Sequence, residues 1–159
     1  MEELEVKQRA LVVAEAKTWI STKYHHHGAL KGVGVDCAQL LRVVFENVGL
    51  IPHLELPYYS PQWHLHRSDE RYLGLVTQYA VEISGPPLPG DVVLWKFGRC
   101  FSHGAIVTEW PFVVHAYLNG HCTLEDISTA LWLRDRPMKF FSYWGSANVV
   151  ADRRDPVIE

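Results

Sequence analysis

The segment from Asp36 to Gly49 constrains the fold of this chain more than any other. Apolar side chains recur there at i, i+3, i+4, i+7, i+8 and i+11, the spacing of one buried face of an α-helix. They are Cys37, Leu40, Leu41, Val44, Phe45 and Val48. Asp36 is a preferred N-cap residue and Gly49 a preferred residue after a helix end. The sequence therefore predicts an amphipathic helix whose first turn holds a cysteine on the inward face.

The other predicted elements divide the chain into a helical first half and a β-rich second half. Further helices are predicted over residues 2–21 and 68–82, with a proline-containing loop over 52–61. The buried face of the first is expected at Val6, Ala10, Val13 and Ile20. Strands are predicted over 92–97, 103–108, 112–117, 122–126 and 138–143. Helices followed by strands indicate an α+β fold, with the helices packed on an antiparallel sheet of about five strands.

Length and charge limit the classes of protein and partner. The 159 residues suit one domain over 1–159, with a loose charged tail over 151–159. A net charge of −3 gives no basic field, so nucleic acid is not an expected partner, and no apolar run is long enough to span a membrane. The first residues lack the basic and apolar regions of a signal peptide, which predicts synthesis in the cytoplasm. Three widely spaced cysteines argue against a disulfide framework.

The position of Cys37 at a helix start makes it a candidate nucleophile. The unpaired N–H groups and the positive end of the helix dipole favour a thiolate there, and lie where an oxyanion would form. This field is worth only about 0.3–1 kcal/mol, and the adjacent Asp36 carboxylate opposes it. A neighbouring imidazolium has a larger effect, since it lowers thiol pKa values to about 3–4. A catalytic Cys37 therefore requires a histidine, and without one it is simply the first core residue of the helix.

Two of the nine histidines are predicted to lie side by side on adjacent strands. His103 shares one face of its strand with Ala105, and His115 shares one face of the next strand with Val113. A hairpin with its turn centred on Glu109 would pair residue 103 with 115, 105 with 113 and 107 with 111. In that register His103 is the expected base for the cysteine, and His115 is expected to orient it.

A metal site is the competing interpretation of some of these residues. Cysteine and histidine are ligands that zinc accepts, and they occur at Cys100, His103, His121 and Cys122. Their two halves fit no strong spacing template, and the interpretation leaves Cys37 unexplained. Thiol chemistry needs neither a metal nor an organic cofactor, so none is expected.

Four segments, in this order, resemble motifs of the NlpC-type cell-wall cysteine peptidases. They are GVDCAQLL at 34–41, LPGDVVL at 88–94, SHGAIV at 102–107 and VHA at 114–116. The upstream WISTKY at 19–24 resembles the segment that places a tyrosine beside the site. The resemblance extends over roughly residues 17–144, nearly the whole chain. Tyr24, His26 and Gly28, with the KGVG of 31–34, look closest to the branch found in phage tail-assembly modules.

The resemblance implies a papain-like fold and an enzyme that cleaves the peptide stems of bacterial peptidoglycan. The bond implied lies between γ-D-glutamyl and a diamino acid, and the intermediate is an acyl-enzyme on Cys37. Matched position by position, Cys37, His103 and His115 take the catalytic roles. Tyr24 would lie beside the oxyanion site, and Asp36 would bind the free amine of a stem peptide. The residues alone leave a packed core tyrosine and a plain N-cap as alternatives for these two.

The phage branch implies tail proteins as partners and a location in the virion tail, with a cytosolic recycling enzyme as the alternative. One departure from the family pattern is Ala38-Gln39, where many members carry Ser-Gly after the cysteine. Two other functions remain open on the same scaffold. One is a catalytically silent structural tail component, and the other is an acyltransferase or deamidase that uses the same residues.

Overall fold

The computed structural model describes residues 1–57, 59 and 71–145. Its helices are α1 (Glu3–Thr18), α2 (Cys37–Asn47), α3 (Arg71–Thr77) and α4 (Leu131–Arg134). Its strands are β1 (Ala29–Leu30), β2 (Gly34–Val35), β3 (Val81–Ile83), β4 (Val92–Phe97), β5 (Cys100–Glu109), β6 (Phe112–His115), β7 (Thr123–Asp126) and β8 (Met138–Ser142). The tail over 151–159, predicted to be loose, lies outside the described residues.

A six-stranded antiparallel sheet forms the centre of the described structure, in the order β3-β8-β4-β5-β6-β7. The short strands β1 and β2 pair separately, just before α2. The predicted α+β architecture is confirmed, and the sheet has one strand more than the five expected. The additional strand is β3, which pairs with β8 at the edge of the sheet.

The helix α2 confirms the prediction from its apolar spacing and its caps. Its side chains at Leu40, Leu41, Val44 and Phe45 are buried. The Asp36 carboxylate accepts a hydrogen bond from the backbone N–H of Gln39 at 2.8 Å, as an N-cap residue does. The helix ends at Asn47, and Gly49 follows with a φ of +75°, a conformation that favours glycine. Cys37 is half-buried in the first turn.

The helix α1 buries a different face from the one predicted. Val6 is 50% exposed and Ile20 is 37% exposed. The buried residues of α1 are Arg9, Val12 and Ala16. The reason is an ion pair that apolar periodicity does not register, because the Arg9 guanidinium donates to the buried Asp91 carboxylate at 2.8 Å.

The helix predicted over 68–82 ends earlier in the structure, and the first three residues of the predicted range lie outside the described part of the chain. Its described portion ends at Thr77, and the predicted end of the helix is wrong, since Val81–Ile83 form β3. Val81 and Ile83 are β-branched and pair with Ser142 and Phe140 of β8. Strand pairing distant in sequence therefore overrides the local helical pattern there.

The sheet is covered on both faces. On the first face, α1 and α2 pack against side chains that include Val92, Leu94, Ile106 and Val114. On the second face, a smaller core joins Val93, Trp95, Ala105, Val107, Val113 and Ile127 to Ala130 and to Leu133 of α4. The alternation of these sets follows the strand period of two. Within the described residues, no helix has the length and apolar character needed to cross a membrane.

Candidate active site

His103 and His115 lie in direct contact on the second face of the sheet. Nε2 of His103 is 2.8 Å from Nδ1 of His115. The predicted register is nevertheless wrong, because β5 and β6 pair Val107 with Val113, two residues from the expected partner. A bulge follows Val107, and Glu109 pairs with Phe112 across a tight turn. An offset of two keeps both imidazoles on one face as diagonal neighbours, which aromatic side chains can bridge.

Glu125 extends this pair into a chain of three hydrogen-bonded side chains. Its Oε2 lies 2.5 Å from Nε2 of His115, and the carboxylate must accept this bond from the ring N–H. The strand β7 brings it there by pairing Thr123 with His115 and Glu125 with Val113. The sequence reasoning missed Glu125, since strand alternation can select it only once the β6–β7 register is known.

Aromatic rings enclose the two imidazoles. The indole of Trp132 in α4 stacks on His115 at 5.9 Å with an interplanar angle of 24°. It also lies 5.8 Å from the ring of His103, and Trp95 lies 5.6 Å from His103 on another side. His115 is fully buried and His103 is 8% exposed. The histidine pair is therefore held in a setting with little access for water, where electrostatic and hydrogen-bond interactions are stronger than at the surface.

This enclosure determines the charge state of His103. Burial is the largest cause that lowers the pKa of His103 well below its ordinary value, and the neighbouring His115 and Arg136 contribute to it. The imidazole is therefore neutral at pH 7 and able to accept a proton. The sequence reasoning expected an imidazolium to activate the thiol in the resting protein. The structure instead favours a neutral imidazole, the form that can accept a proton.

We expect this burial to make the protein less stable in mild acid. The unfolded chain protonates this imidazole near pH 6.5, whereas the folded protein resists the proton. Protonation therefore favours unfolding, and stability falls as the pH drops below about 6.5, by up to about 1.4 kcal/mol per pH unit from this group. Denaturant unfolding between pH 7.5 and pH 5 measures the slope. His103→Gln should flatten it, while His121→Gln, at an exposed histidine, should leave it unchanged.

Cys37 meets β5 at the residue that precedes His103. Its thiol lies 3.8 Å from the carbonyl oxygen of Ser102. Ser102 occupies an irregularity in the strand, because Trp95 pairs with His103 while Lys96 pairs with Phe101. The helix α2 packs on the first face of the sheet, and the imidazoles lie on the second. The thiol therefore contacts β5 at the residue next to the candidate base in the sequence.

Asp36 is enclosed by protein hydrogen-bond donors. It is 1% exposed. One carboxylate oxygen accepts the N-cap bond from α2, and the other accepts from the backbone N–H of His27 at 2.6 Å and from the hydroxyl of Tyr59. Asp36 therefore connects the start of α2 to the backbone at His27. Tyr59 was missed by the sequence reasoning, since no local pattern in its proline-containing loop marks it.

Tyr24 lies close to Cys37 and Asp36, where the family resemblance places a tyrosine. Burial, then the neighbouring Cys37 and Asp36, raises its pKa above the ordinary tyrosine value. Burial and Asp36 also raise the pKa of Tyr59. Both phenols remain protonated at neutral pH, and a protonated hydroxyl is the form that donates a hydrogen bond to an oxyanion.

The zinc alternative is not assembled in this structure. Cys122 belongs to the core on the first face of the sheet, whereas His103 lies on the second face. In the part of the chain that the structure describes, no group of three or more His, Cys, Asp or Glu side chains could hold a metal ion.

Comparisons with known proteins identify the fold. No family model matches the sequence, and no curated protein matches it. Among solved structures, the chain is similar to the NlpC/p60 domain of the peptidoglycan hydrolase SagA, with a TM-score of 0.58 and 21% identity over 82% of this chain and 96% of that domain. It is also similar to NlpC1 from Trichomonas vaginalis, with a TM-score of 0.59 and 14% identity over 88% of this chain and 45% of that one.

A third similar structure is an NLP/P60-family protein from Staphylococcus aureus, described as similar to lipoprotein. Its TM-score is 0.57, with 19% identity over 87% of this chain. The chain spans nearly all of the SagA domain, but only 45% of the Trichomonas protein and 42% of the Staphylococcus protein. The chain therefore has the papain-like fold of NlpC/P60 domains.

Proposed function

We propose that this chain is a cysteine peptidase of the NlpC/P60 family that hydrolyses the peptide stems of bacterial peptidoglycan. The observation that carries the proposal is the chain of hydrogen bonds from Glu125 through His115 to His103, on the strand whose start contacts the Cys37 thiol. The description of SagA as a peptidoglycan hydrolase supports the substrate class.

The proposed reaction proceeds through an acyl-enzyme. The sulfur of Cys37 attacks the amide carbonyl carbon while its proton passes to the neutral imidazole of His103. The backbone N–H of Cys37 and the hydroxyl of Tyr24 hold the oxyanion. His103 then gives its proton to the departing amine, and later accepts one from the water that hydrolyses the thioester. His115 keeps the imidazole of His103 in orientation.

The proposed bond lies between γ-D-glutamyl and a diamino acid, and the proposed role of Asp36 is electrostatic. Its two oxygens already accept bonds from Gln39, His27 and Tyr59. Its negative charge, just before the nucleophile, favours a substrate whose free amine lies near the two phenols. Acetylating the amino group of a stem peptide should therefore weaken its binding.

Digestion of purified peptidoglycan tests the proposal. Mass spectrometry of sacculi treated with the protein should show stem fragments with one new carboxyl end and one new amino end. Release of ammonia with the stems intact would indicate a deamidase, and transfer of the acyl group to an added amine would indicate an acyltransferase. Sacculi of several wall types left intact would contradict the proposal.

The reactivity of Cys37 distinguishes an enzyme from a silent structural component. Cys37 is half-buried, whereas Cys100 and Cys122 are buried and burial raises the pKa of Cys122 to about 12. We expect iodoacetamide at pH 7 to modify Cys37 alone in the folded protein. His103→Gln should slow this reaction roughly tenfold or more, because the base is lost. An unchanged rate in His103→Gln would indicate a thiol that only packs.

We also propose that a phage tail carries the protein, after synthesis in the cytoplasm. The motif around Tyr24, His26 and Gly28 supports this placement, and a cytosolic recycling enzyme is the alternative. Proteomic detection of the chain in purified virions would favour the tail. Its absence there, together with cleavage of soluble muropeptides in preference to intact sacculi, would favour recycling.

A further inference from the structure

Glu125 occupies the far end of the hydrogen-bonded chain, opposite the candidate nucleophile. It lies on β7, the strand that pairs with the His115 strand β6, and its side chain is 27% exposed. The ring it contacts is fully buried. In the proposed reaction, no step is assigned to this carboxylate.

The bonding partners along the chain determine where the protons lie. A carboxylate can only accept, so the bond to Glu125 places a proton on Nε2 of His115. When the His115 ring is neutral, its Nδ1 is unprotonated and accepts from Nε2–H of His103. His103, whose second proton is disfavoured by burial, is left with an unprotonated Nδ1. That nitrogen remains to take a proton from the thiol.

The reverse arrangement would impair the base. With its proton on Nδ1, His115 would donate to Nε2 of His103, and the neutral His103 would carry its own proton on Nδ1. The nitrogen needed to accept the thiol proton would then already be protonated. A wrong histidine tautomer costs about 10⁴ in kcat in the serine-protease triad, so the placement of these protons has a large effect on rate.

We propose that Glu125 is a positioning residue that fixes the proton of His115 on Nε2 and thereby keeps Nδ1 of His103 unprotonated. The consequence for catalysis rests on the proposed peptidase function. The tautomers themselves do not, and they can be measured independently of any substrate.

The surroundings of Glu125 support this role. The hydrogen bond from His115 is the first cause that lowers the pKa of Glu125, and the Trp132 side chain adds a further hydrogen bond. The carboxylate therefore stays ionised at neutral pH, as an acceptor. Trp132 also stacks on the His115 ring, which restricts rotation of that ring away from the carboxylate.

The ¹⁵N NMR signals of the imidazoles test the proposal directly. At pH 8 the wild-type protein should show His115 and His103 both protonated on Nε2 and unprotonated on Nδ1. Glu125→Leu removes the acceptor and should give a substantial population of His115 protonated on Nδ1. Glu125→Gln keeps an acceptor oxygen and should retain the wild-type tautomers. A wild-type His115 protonated on Nδ1 would overturn the proposal even if the leucine variant fails to fold.

Kinetics provide the second readout. Glu125→Leu should lower the rate of Cys37 alkylation at pH 7 by roughly 10–100-fold, the size of the loss when a metal-bound histidine loses its hydrogen-bond partner. It should also lower kcat with little change in KM. Glu125→Gln should recover most of the loss. Glu109→Leu, at an exposed glutamate at the end of β5, is the matched control and should behave as wild type.

The two proposals fail in different ways. Wild-type tautomers and an unchanged alkylation rate in a folded Glu125→Leu protein would refute the role of Glu125, whatever the protein does to peptidoglycan. Shifted tautomers in that variant, in a protein that never cleaves peptidoglycan, would support the role of Glu125 and count against the proposed substrate.

Discussion

Replacing Cys37 by alanine will reduce the release of stem peptides from peptidoglycan to background, a loss of at least about a thousandfold. The sulfur is the proposed attacking atom, and alanine retains the backbone N–H groups and the helix start while removing that atom alone. Cys37 is half-buried rather than central to the core, so the folded structure should persist. Mass spectrometry of digested sacculi measures the activity, and thermal unfolding checks the fold.

Cys122→Ala is the control for this experiment. It removes a sulfur from a residue that is 1% exposed and belongs to the core on the first face of the sheet. We expect some loss of stability and no loss of activity beyond about threefold, since ordinary packing changes do not remove a reacting atom. If Cys37→Ala digests peptidoglycan as fast as the wild-type protein, the proposed mechanism is wrong.

The largest effect on stability is expected from Arg9→Met. Asp91 is 1% exposed, and its partner Arg9 also donates to the carbonyl of Pro89 at 2.9 Å and to the Glu5 carboxylate at 2.8 Å. Without the guanidinium, a buried carboxylate loses its compensating charge, which costs about 3–5 kcal/mol. We expect the melting temperature to fall by roughly 6–20 °C in a domain of this size.

Two further variants test whether the unpaired Asp91 carboxylate causes this loss of stability. Lys7→Met disrupts an exposed ion pair with Glu3 on the same helix, where side-chain exposures are 68% and 85%, and should cost less than about 1 kcal/mol. Adding Asp91→Leu to Arg9→Met should recover part of the loss, since no buried charge then lacks its partner. If the double variant has a lower free energy of unfolding than Arg9→Met alone, this account is wrong.

The Arg9–Asp91 pair shows where prediction from the sequence succeeds and where it does not. The periodicity of α2 and its cap at Asp36 are local signals, and the structure confirms them. The buried face of α1 was predicted wrongly because Arg9 occupies it, and its partner lies 82 residues away. Asp91 lies in the LPGDVVL segment of the family resemblance, but no local pattern identifies Arg9 as its partner.

In the candidate site too, local patterns were predictable and contacts between distant residues were not. Strand alternation placed His103 and His115 on one face, and the structure brings their rings into contact. The exact pairing was missed because the turn falls between Glu109 and Phe112 rather than on Glu109 itself. Together with a one-residue bulge beyond Val107, this gives a register two residues from the predicted one. Glu125 and Tyr59 were missed because each joins the site through a contact that only the folded chain defines. The catalytic roles of these residues remain predictions until the substitutions are measured.

The order of the strands implies that the histidines and Cys37 reach the site through contacts of very different sequence separation. Glu125, His115 and His103 lie on β7, β6 and β5, three consecutive strands that form a meander with short connections. The thiol contact on β5 closes a sequence separation of 65 residues. Because short loops close at a lower entropic cost than long ones, the proton relay can form while α2 is still undocked. A partly folded chain with α2 undocked would then hold the histidines without the Cys37 sulfur near them, and the proposed hydrolysis would become possible only after α2 docks.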